Sequence, residues 1–544
     1  MSLSTRILSR VLGLPPAVST WIGCVTDIPV PMDDGTVLYA SRFYPTDSAG
    51  DLPIVLVRTP YAPRGDRPDL MSRLIVERGY QVVVQNCRGR FGSEGEWEPF
   101  RADRADGLAT LRWLEEQPWS GGDVAMFGVS YYGYAQLAAG AGAPSSLKAL
   151  VPQMGPSRVD GIFRPNGTVA LDAALAWHYS VHVVYVTSGL DMVRTILARG
   201  RVLRRALRTL PVGEADRVLV GRHLQFFQDI IRSARPEDEV WAATDHSGLV
   251  GRIEAPVHLV SGWYDFVLDD LLADYRSLRD AGRNPYLTIG PWTHGAPAAV
   301  KVGLQESLAW YDAHLRGRTD ALRASPVRVC VMGSGRWVEL PSWPPASTPT
   351  SWYLDAAGRL SPTAPGEGGG RSRYRYDPTD PTPNTGGALV LGGGPKDNRV
   401  RERRADVLTF TSPAMQDDTT VMGTAEVTLR FRSSLEHTDV HVRLCDVSAG
   451  NRSSNVCDGI VRLTPADRPD PDGVHRLGIR FTATAHCFRA GHRIRLQVSS
   501  GAHPRFDRNL GTGDTARGVT MRVADQEVLH DGDHPSVLVL PVTP

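Results

Sequence analysis

Hydrophobic positions fall into three regimes along the chain. From 21 to 150, short apolar runs alternate with stretches of helical spacing. Ile54–Val57, Val82–Gln85 and Val124–Phe127 are aliphatic runs bounded by Gly, Pro or charge, with another near Leu150. Between them, Leu70–Arg78 and Ala102–Glu116 carry the helical period. Short buried strands separated by helices predict a mainly parallel sheet. Asp33-Asp34-Gly35 predicts an early hairpin. From 153 to 247, Ala170–Gly189, Met192–Leu210 and Arg217–Arg232 all read as helices, which predicts a helical insert. The strand–helix alternation resumes with Val257–Ser261, Leu271–Arg279 and Tyr286–Ile289, and a helix is expected over Ser307–Arg316.

From about Pro326 the period becomes two. Val427–Arg432, Val440–Leu444, Leu477–Phe481 and Ile494–Val498 alternate apolar and polar residues, separated by turn clusters such as Gly366–Gly370 and Gly392–Asp397. Many short strands with one wet face predict a β-sandwich of the jelly-roll kind. Segment 361–396, rich in Gly and Pro, is expected to be a long loop. The predicted class is α/β: an α/β core over 1–152 and 248–325, a helical cap over 153–247, and an all-β domain over 326–544.

A chain of 544 residues exceeds what one core usually serves, in keeping with that division. The net charge of +1 gives no footprint for nucleic acid or an anionic membrane. No apolar run approaches the roughly 18 residues of a membrane span. The first apolar stretch is broken by Ser9 and Arg10 and stopped by Pro15-Pro16, so no secretory segment is expected. Ile7, Leu8, Val11 and Leu12 instead suit a short amphipathic helix lying on the body. Six scattered cysteines without a C-x-x-C pair fit free thiols in a reducing compartment. A cytoplasmic location is expected.

The informative stretch is Asp123–Gly133, where an apolar strand runs through Gly128-Val129-Ser130-Tyr131-Tyr132-Gly133 into a helix. A nucleophile elbow needs this arrangement, with small residues allowing the tight turn that lifts the serine hydroxyl above the sheet. The motif is G-x-S-x-x-G, with Tyr132 where the common form has glycine. A nucleophilic serine needs a base, and the base needs an orienting acid. Asp265 follows the strand at Leu259–Gly262, and His294 follows the next strand, in the chain order serine, acid, histidine. Each lies at the carboxyl end of a strand, where open α/β sheets bind ligands. Ser130, Asp265 and His294 are therefore the candidate catalytic residues of an α/β-hydrolase. The backbone N–H of Tyr131 is one oxyanion donor by the geometry of the elbow. Tyr61, after the Ile54–Val57 strand, stands where the second donor normally originates, and position alone does not decide between that role and an ordinary loop aromatic.

These residues resemble the cocaine esterase and X-prolyl dipeptidyl aminopeptidase family of serine hydrolases. The matching pieces are T-P-Y at Thr59–Tyr61, C-R-G-R-F-G-S-E-G at Cys87–Gly95, G-V-S-Y-Y-G at Gly128–Gly133, G-W-Y-D at Gly262–Asp265 and G-P-W-T-H at Gly290–His294. Tyr376–Gly387 and Ser499–Asn509 extend the resemblance into the all-β part. It implies the same three-part architecture, and that Tyr61 donates its hydroxyl to the oxyanion. In the α-amino acid ester hydrolases of this family, carboxylates just after the catalytic aspartate help bind the substrate ammonium. Here those positions are Val267 and Leu268. Asp269 and Asp270 follow, and on a helix they read as charges of its first turn. The extra N-terminal domain of the X-prolyl peptidases is also expected to be missing. A neutral apolar acyl ester is thus favoured over a peptide N-terminus, with Asp172 or Asp191 as the carboxylates that folding could still bring to an amine. Trp177 resembles the tryptophan lining the family's acyl pocket, and Phe266 is assigned to the same pocket.

No cofactor is expected. His178 and His182 lie one helical turn apart, but no third ligand is evident, so no metal is expected. An acyltransferase or cyclase using the same acyl-enzyme is the main alternative, because the triad alone does not decide what attacks it. An aminopeptidase-like or amino acid ester hydrolase is a second alternative, and a glycan-binding protein without catalysis a third. Arg201, Arg204, Arg205 and Arg208 line one face of a cap helix. They are read as a solvated face in preference to a dock for an acidic carrier protein. The expected partner is a small-molecule ester. A homodimer is compatible with the sequence, which carries no signal for oligomeric state.

Overall fold

The computed structural model describes residues 8–47, 52–61, 65–233, 235, 237–366 and 370–544. Ten strands build one sheet: β1 (Ile22–Pro31), β2 (Val37–Pro45), β3 (Ile54–Thr59), β4 (Gln81–Asn86), β5 (Val124–Val129), β6 (Leu147–Gln153), β7 (His258–Tyr264), β8 (Tyr286–Thr293), β9 (Val327–Val331) and β10 (Arg336–Leu340). Their order is β1-β2-β4-β3-β5-β6-β7-β8-β9-β10. β3 to β9 are parallel, and β1, β2 and β10 join with antiparallel pairings. Every residue of β3 and β7 is buried, which is why these strands read as apolar runs without alternation. The hairpin at Asp33–Gly35 forms, with Met32 N–H donating to Thr36 C=O at 2.8 Å.

Helices Leu70–Val76, Asp103–Glu115, Tyr131–Gly140, Leu268–Asp280 and Pro297–Arg316 accompany the sheet. The last begins well before the expected Ser307. Proline suits the first turn because its missing N–H would have no partner there. The added stretch packs closely, and a Cβ on Gly303 would lie 2.1 Å from Gln153 Oε1. Small residues on the packed face hide the helical period. Residues 8–11 are helical and lie on the body, where Arg78 donates to Ser9 Oγ at 3.0 Å; Ile7 is outside the described residues.

The insert is helical, as its spacing predicts. The stretch Ala170–Gly189 is a helix over Leu171–Tyr179 followed by a π turn at Ser180–Val184. Gly189–Arg208 is one long helix. The stretch Arg217–Arg232 is two helices, Ala215–Val220 and Gln225–Arg232, because Gly221 ends the first at φ +83°. Buried faces of these helices form one apolar cluster with Phe100, Tyr131 and Tyr134 of the core. The cap is thus packed directly onto the nucleophile elbow.

The C-terminal part is a jelly roll of a nine-stranded and a four-stranded sheet. Glu426–Ser433, Thr438–Val447 and Arg493–Ser499 contain three of the alternating runs, and His475–Arg480 covers the fourth except Phe481. β9 and β10 lie beyond residue 326, where the period becomes two, and both pair in the ten-stranded sheet. A period of two identifies a strand, not the sheet that it joins. One expectation needs correction. Segment 361–396 is not all loop, since Gly370–Tyr376 pairs with Ala524–His530. There Arg371, Arg373 and Arg375 face solvent while Tyr374 and Tyr376 are buried. Of the turn expected at Gly366–Gly370, residues 367–369 are outside the described residues. The fold is an α/β-hydrolase core with an inserted helical cap and a C-terminal jelly roll.

Candidate active site

β5 ends at Ser130, whose backbone sits at φ +64° and ψ −120°. A non-glycine residue is strained there, and the surrounding packing must hold it. Two glycines make that packing feasible. A Cβ on Gly128 would lie 2.4 Å from the Cβ of Tyr132, and one on Gly133 would lie 3.0 Å from Gln153 C=O. The helix Tyr131–Gly140 follows at once, so Tyr131 N–H is a first-turn donor without an intrahelical acceptor.

Ser130 Oγ lies 3.0 Å from His294 Nε2, and His294 Nδ1 lies 2.9 Å from Asp265 Oδ1. Asp265 is buried. Its Oδ2 accepts from Ser261 Oγ at 3.0 Å and its Oδ1 from Val267 N–H at 3.2 Å. The three expected residues therefore meet as one hydrogen-bonded chain at the carboxyl ends of β5, β7 and β8. Phe266 stacks on the His294 ring with centroids 4.4 Å apart.

Tyr61 packs against Tyr131 and Tyr132, with centroids 6.1 and 5.5 Å away. Burial pushes its hydroxyl well above the usual tyrosine range, so it stays protonated. Its backbone N–H donates to Thr59 Oγ1 at 3.0 Å, and Thr59 Oγ1 donates to Tyr132 Oη at 2.9 Å. Tyr132, the departure from the common motif, thus ties the elbow to the Tyr61 loop. Beneath the elbow, the Tyr131 hydroxyl donates to Asp103 Oδ2 at 2.5 Å, and Arg58 reaches Asp103 Oδ1 at 3.2 Å. Asp103 and Arg58 were not singled out from the sequence, and Thr59 and Tyr132 appear there only as positions of the T-P-Y and G-V-S-Y-Y-G motifs. The bonds that tie them together span 28 to 73 residues.

Two cavities meet at this site. One, of about 300 Å³, holds Ser130 and His294 and is walled by Tyr61, Trp177, Val267 and Val390. Among the described residues no carboxylate lines it. The other, of about 430 Å³, is lined by Asp172, Asp269, Asp270, Arg158 and Arg505 with Asp265 at its edge. Ile162, Ala173 and Phe266 line both and form the wall between them. The larger cavity is not the one that holds the serine. Burial is the main reason that the Asp270 carboxyl is pushed up to about 8, with Asp160 and Asp274 adding and Arg158 opposing.

The two cap carboxylates weighed from the sequence do not reach the serine cavity. Asp172 faces the polar side and accepts from Val390 N–H at 2.9 Å, fixing a jelly-roll loop in the active-site wall. Asp191 is exposed and pairs with Arg194. Leu268 is buried in the core, and Asp269 accepts from Ala483 N–H at 3.2 Å, clamping the core to the jelly roll. His178 and His182 stack 6.0 Å apart, and His178 Nδ1 lies 2.8 Å from Ala174 C=O. Among the described residues no group of three His, Cys, Asp or Glu could hold a metal ion.

Comparison with known proteins places this geometry. Residues 34–296 match the X-Pro dipeptidyl-peptidase (S15 family) model, and 320–539 match the X-Pro dipeptidyl-peptidase C-terminal non-catalytic domain. The cocaine esterase of Rhodococcus sp. (strain MB1 Bresler) is 33% identical over 95% of this chain and 98% of its own length. The fold is shared with an aminopeptidase from the marine sediment archaeon Thaumarchaeota archaeon, at TM-score 0.82, 22% identity and coverage of 97% and 98% of the two chains. An α-amino acid ester hydrolase superposes with TM-score 0.78 at 22% identity over the same shares. The chain therefore belongs to the cocaine esterase and X-Pro dipeptidyl-peptidase (S15) family of serine hydrolases.

Proposed function

We propose that this serine hydrolase cleaves esters of neutral, apolar carboxylic acids through an acyl-enzyme on Ser130. The observation that carries the reading is the Ser130–His294–Asp265 chain opening into a cavity without a carboxylate. Ser130 Oγ attacks the ester carbonyl carbon while His294 Nε2 takes its proton. The carbonyl π pair moves to oxygen, where the Tyr61 hydroxyl and Tyr131 N–H stabilise it. The C–O bond to the alcohol breaks, and the departing oxygen takes the proton from His294. Water, activated by the same imidazole, then releases the acid and restores Ser130. Asp265 holds the imidazole in the tautomer with the proton on Nδ1 and stabilises the cation formed in each step. Trp177 and Phe266 wall the acyl group.

In this reading the catalytic unit comprises 1–152 and 248–325 together with the β9–β10 hairpin, and 153–247 is the cap. The arginines of the long cap helix, Arg201, Arg204, Arg205 and Arg208, are all exposed, which supports a solvated face. No helix among the described residues is long and apolar enough to cross a membrane. All six cysteines are free thiols, in keeping with the cytoplasmic location we propose.

Ser130→Ala tests the assignment with a p-nitrophenyl ester. Turnover should fall by roughly 10⁴–10⁶ in kcat with the fold retained. Mass spectrometry of the intact protein after exposure to activated esters should show one acyl group added at Ser130 and none in the variant. Activity within tenfold of the parent would remove Ser130 from the mechanism.

A further inference from the structure

We infer that Trp177, besides walling the acyl cavity, is a positioning residue that aims the Tyr61 proton at the oxyanion. The inference rests on the reading of Tyr61 as an oxyanion donor. Trp177 Nε1 and Tyr61 Oη are 3.0 Å apart. An indole nitrogen only donates, so this bond has one sense: Trp177 gives its proton and Tyr61 accepts. A phenol has one proton of its own, and burial keeps that proton on Tyr61. With the indole on one lone pair, the O–H cannot point toward Trp177. Among the described residues the Tyr61 hydroxyl makes no hydrogen bond other than that from Trp177, and the rings of Tyr131, Tyr132 and Tyr185 pack beside its own. The proton is left facing the cavity shared with Ser130 and His294. Accepting a hydrogen bond also makes a hydroxyl a better donor.

Several contacts hold the indole in place. Trp177 stacks on Phe100 with centroids 5.5 Å apart, stands edge-on to His178 at 4.9 Å and packs beside Trp97 and Phe163 at 6.0 Å. The backbone of Tyr61 is fixed separately, through Thr59 and Tyr132. Removing the indole N–H therefore frees the direction of the hydroxyl without releasing the loop. The helix Leu171–Tyr179 that carries Trp177 belongs to the cap, so a cap residue completes the oxyanion site of the core.

The test is a double-mutant cycle read with an acetyl ester, whose small acyl group makes little use of the Trp177 wall. Trp177→Phe should lower kcat about three- to tenfold and leave KM within twofold, as expected for one hydrogen bond that matters in the transition state. In a Tyr61→Phe background the same change should have no effect on kcat. Equal losses in both backgrounds, or a loss confined to KM, would overturn the inference and leave Trp177 a wall residue. An unchanged kcat in Tyr61→Phe alone would instead overturn the reading of Tyr61. Should Trp177→Phe fail to fold, 3-benzothienylalanine at position 177 keeps the indole shape and removes only the N–H, with the same outcomes expected.

Discussion

The cavities on the two sides of Phe266 share a wall and handle charge in opposite ways. On the serine side the walls are mainly aromatic and aliphatic, and the polar side chains among them, Ser130, Ser180, His294, Trp177 and the tyrosines, include no carboxylate among the described residues. On the other side Asp172, Asp269, Asp270 and Asp458 face Arg158 and Arg505. Many of these charges are already engaged. Arg158 pairs with Asp160, Arg505 with Asp458, Asp172 with Val390 N–H and Asp269 with Ala483 N–H. The polar cavity thus joins core, cap and jelly roll, while the apolar cavity is left for chemistry. An ammonium placed beside Ser130 would lose its hydration without gaining a partner, at a cost of several kcal/mol by order of magnitude. Proximity of carboxylates in space does not make them available; the wall and their existing hydrogen bonds decide.

The largest change to this contrast comes from removing the proposed oxyanion donor on the apolar side. Tyr61→Phe should lower kcat by about 10²–10³ and change KM little, because the hydroxyl acts on charge that develops in the transition state. A raised KM with unchanged kcat, measured by steady-state kinetics on one ester, would make Tyr61 a ground-state binding residue.

Opening the wall is the next test. Phe266→Ala should lower kcat/KM for a phenylacetyl ester by roughly 10–100-fold, since the ring both fills the acyl cavity and packs on His294. The same variant should narrow the gap between neutral and amino-acyl esters, because the carboxylates behind the wall come within reach. A gap of the parental size would show that Phe266 does not separate the two environments.

The last effect is on stability, not on catalysis, and belongs to the polar side. Asp270 has a folded-state pKa of about 8 against an ordinary value of 3.8. Below about pH 4 the group is protonated in folded and unfolded chains alike. Between there and about pH 8 the unfolded chain gives up the proton that the folded one keeps. Stability is therefore lost as pH rises through this window, by at most about 1.4 kcal/mol per pH unit. Asp270→Asn should melt higher than the parent, with a gap that widens from pH 4 to pH 8 and then stays constant. Thermal unfolding followed across that range would contradict this if the two curves ran parallel.

Much of this was legible before the structure. The strands that precede Ser130, Asp265 and His294 are short, apolar and mostly buried, and each of the three residues directly follows one. Local pattern and catalytic position therefore coincide. The two tyrosines of the elbow were legible as residues but not as braces, since Tyr132 works through Thr59 and Tyr131 through Asp103. The walls were less legible still. Val390 reaches the serine cavity from the jelly roll, held by Asp172 of the cap. Whether Asp172 faced the serine depended on the packing of three parts of the chain, which no local spacing encodes. For the same reason β9 and β10 read as sandwich strands, and Gly370–Tyr376 was lost among the glycines and prolines around it.

The central claim is that the serine cavity accepts a neutral acyl group and refuses a charged one. The direct measurement compares kcat/KM for phenylacetyl and phenylglycyl methyl esters, matched in shape, at one pH where the second is largely the cation. The apolar lining predicts that the phenylacetyl ester is favoured by about tenfold or more. A clear preference for the phenylglycyl ester would contradict the account, because it requires a carboxylate beside Ser130, and none lines the cavity among the described residues.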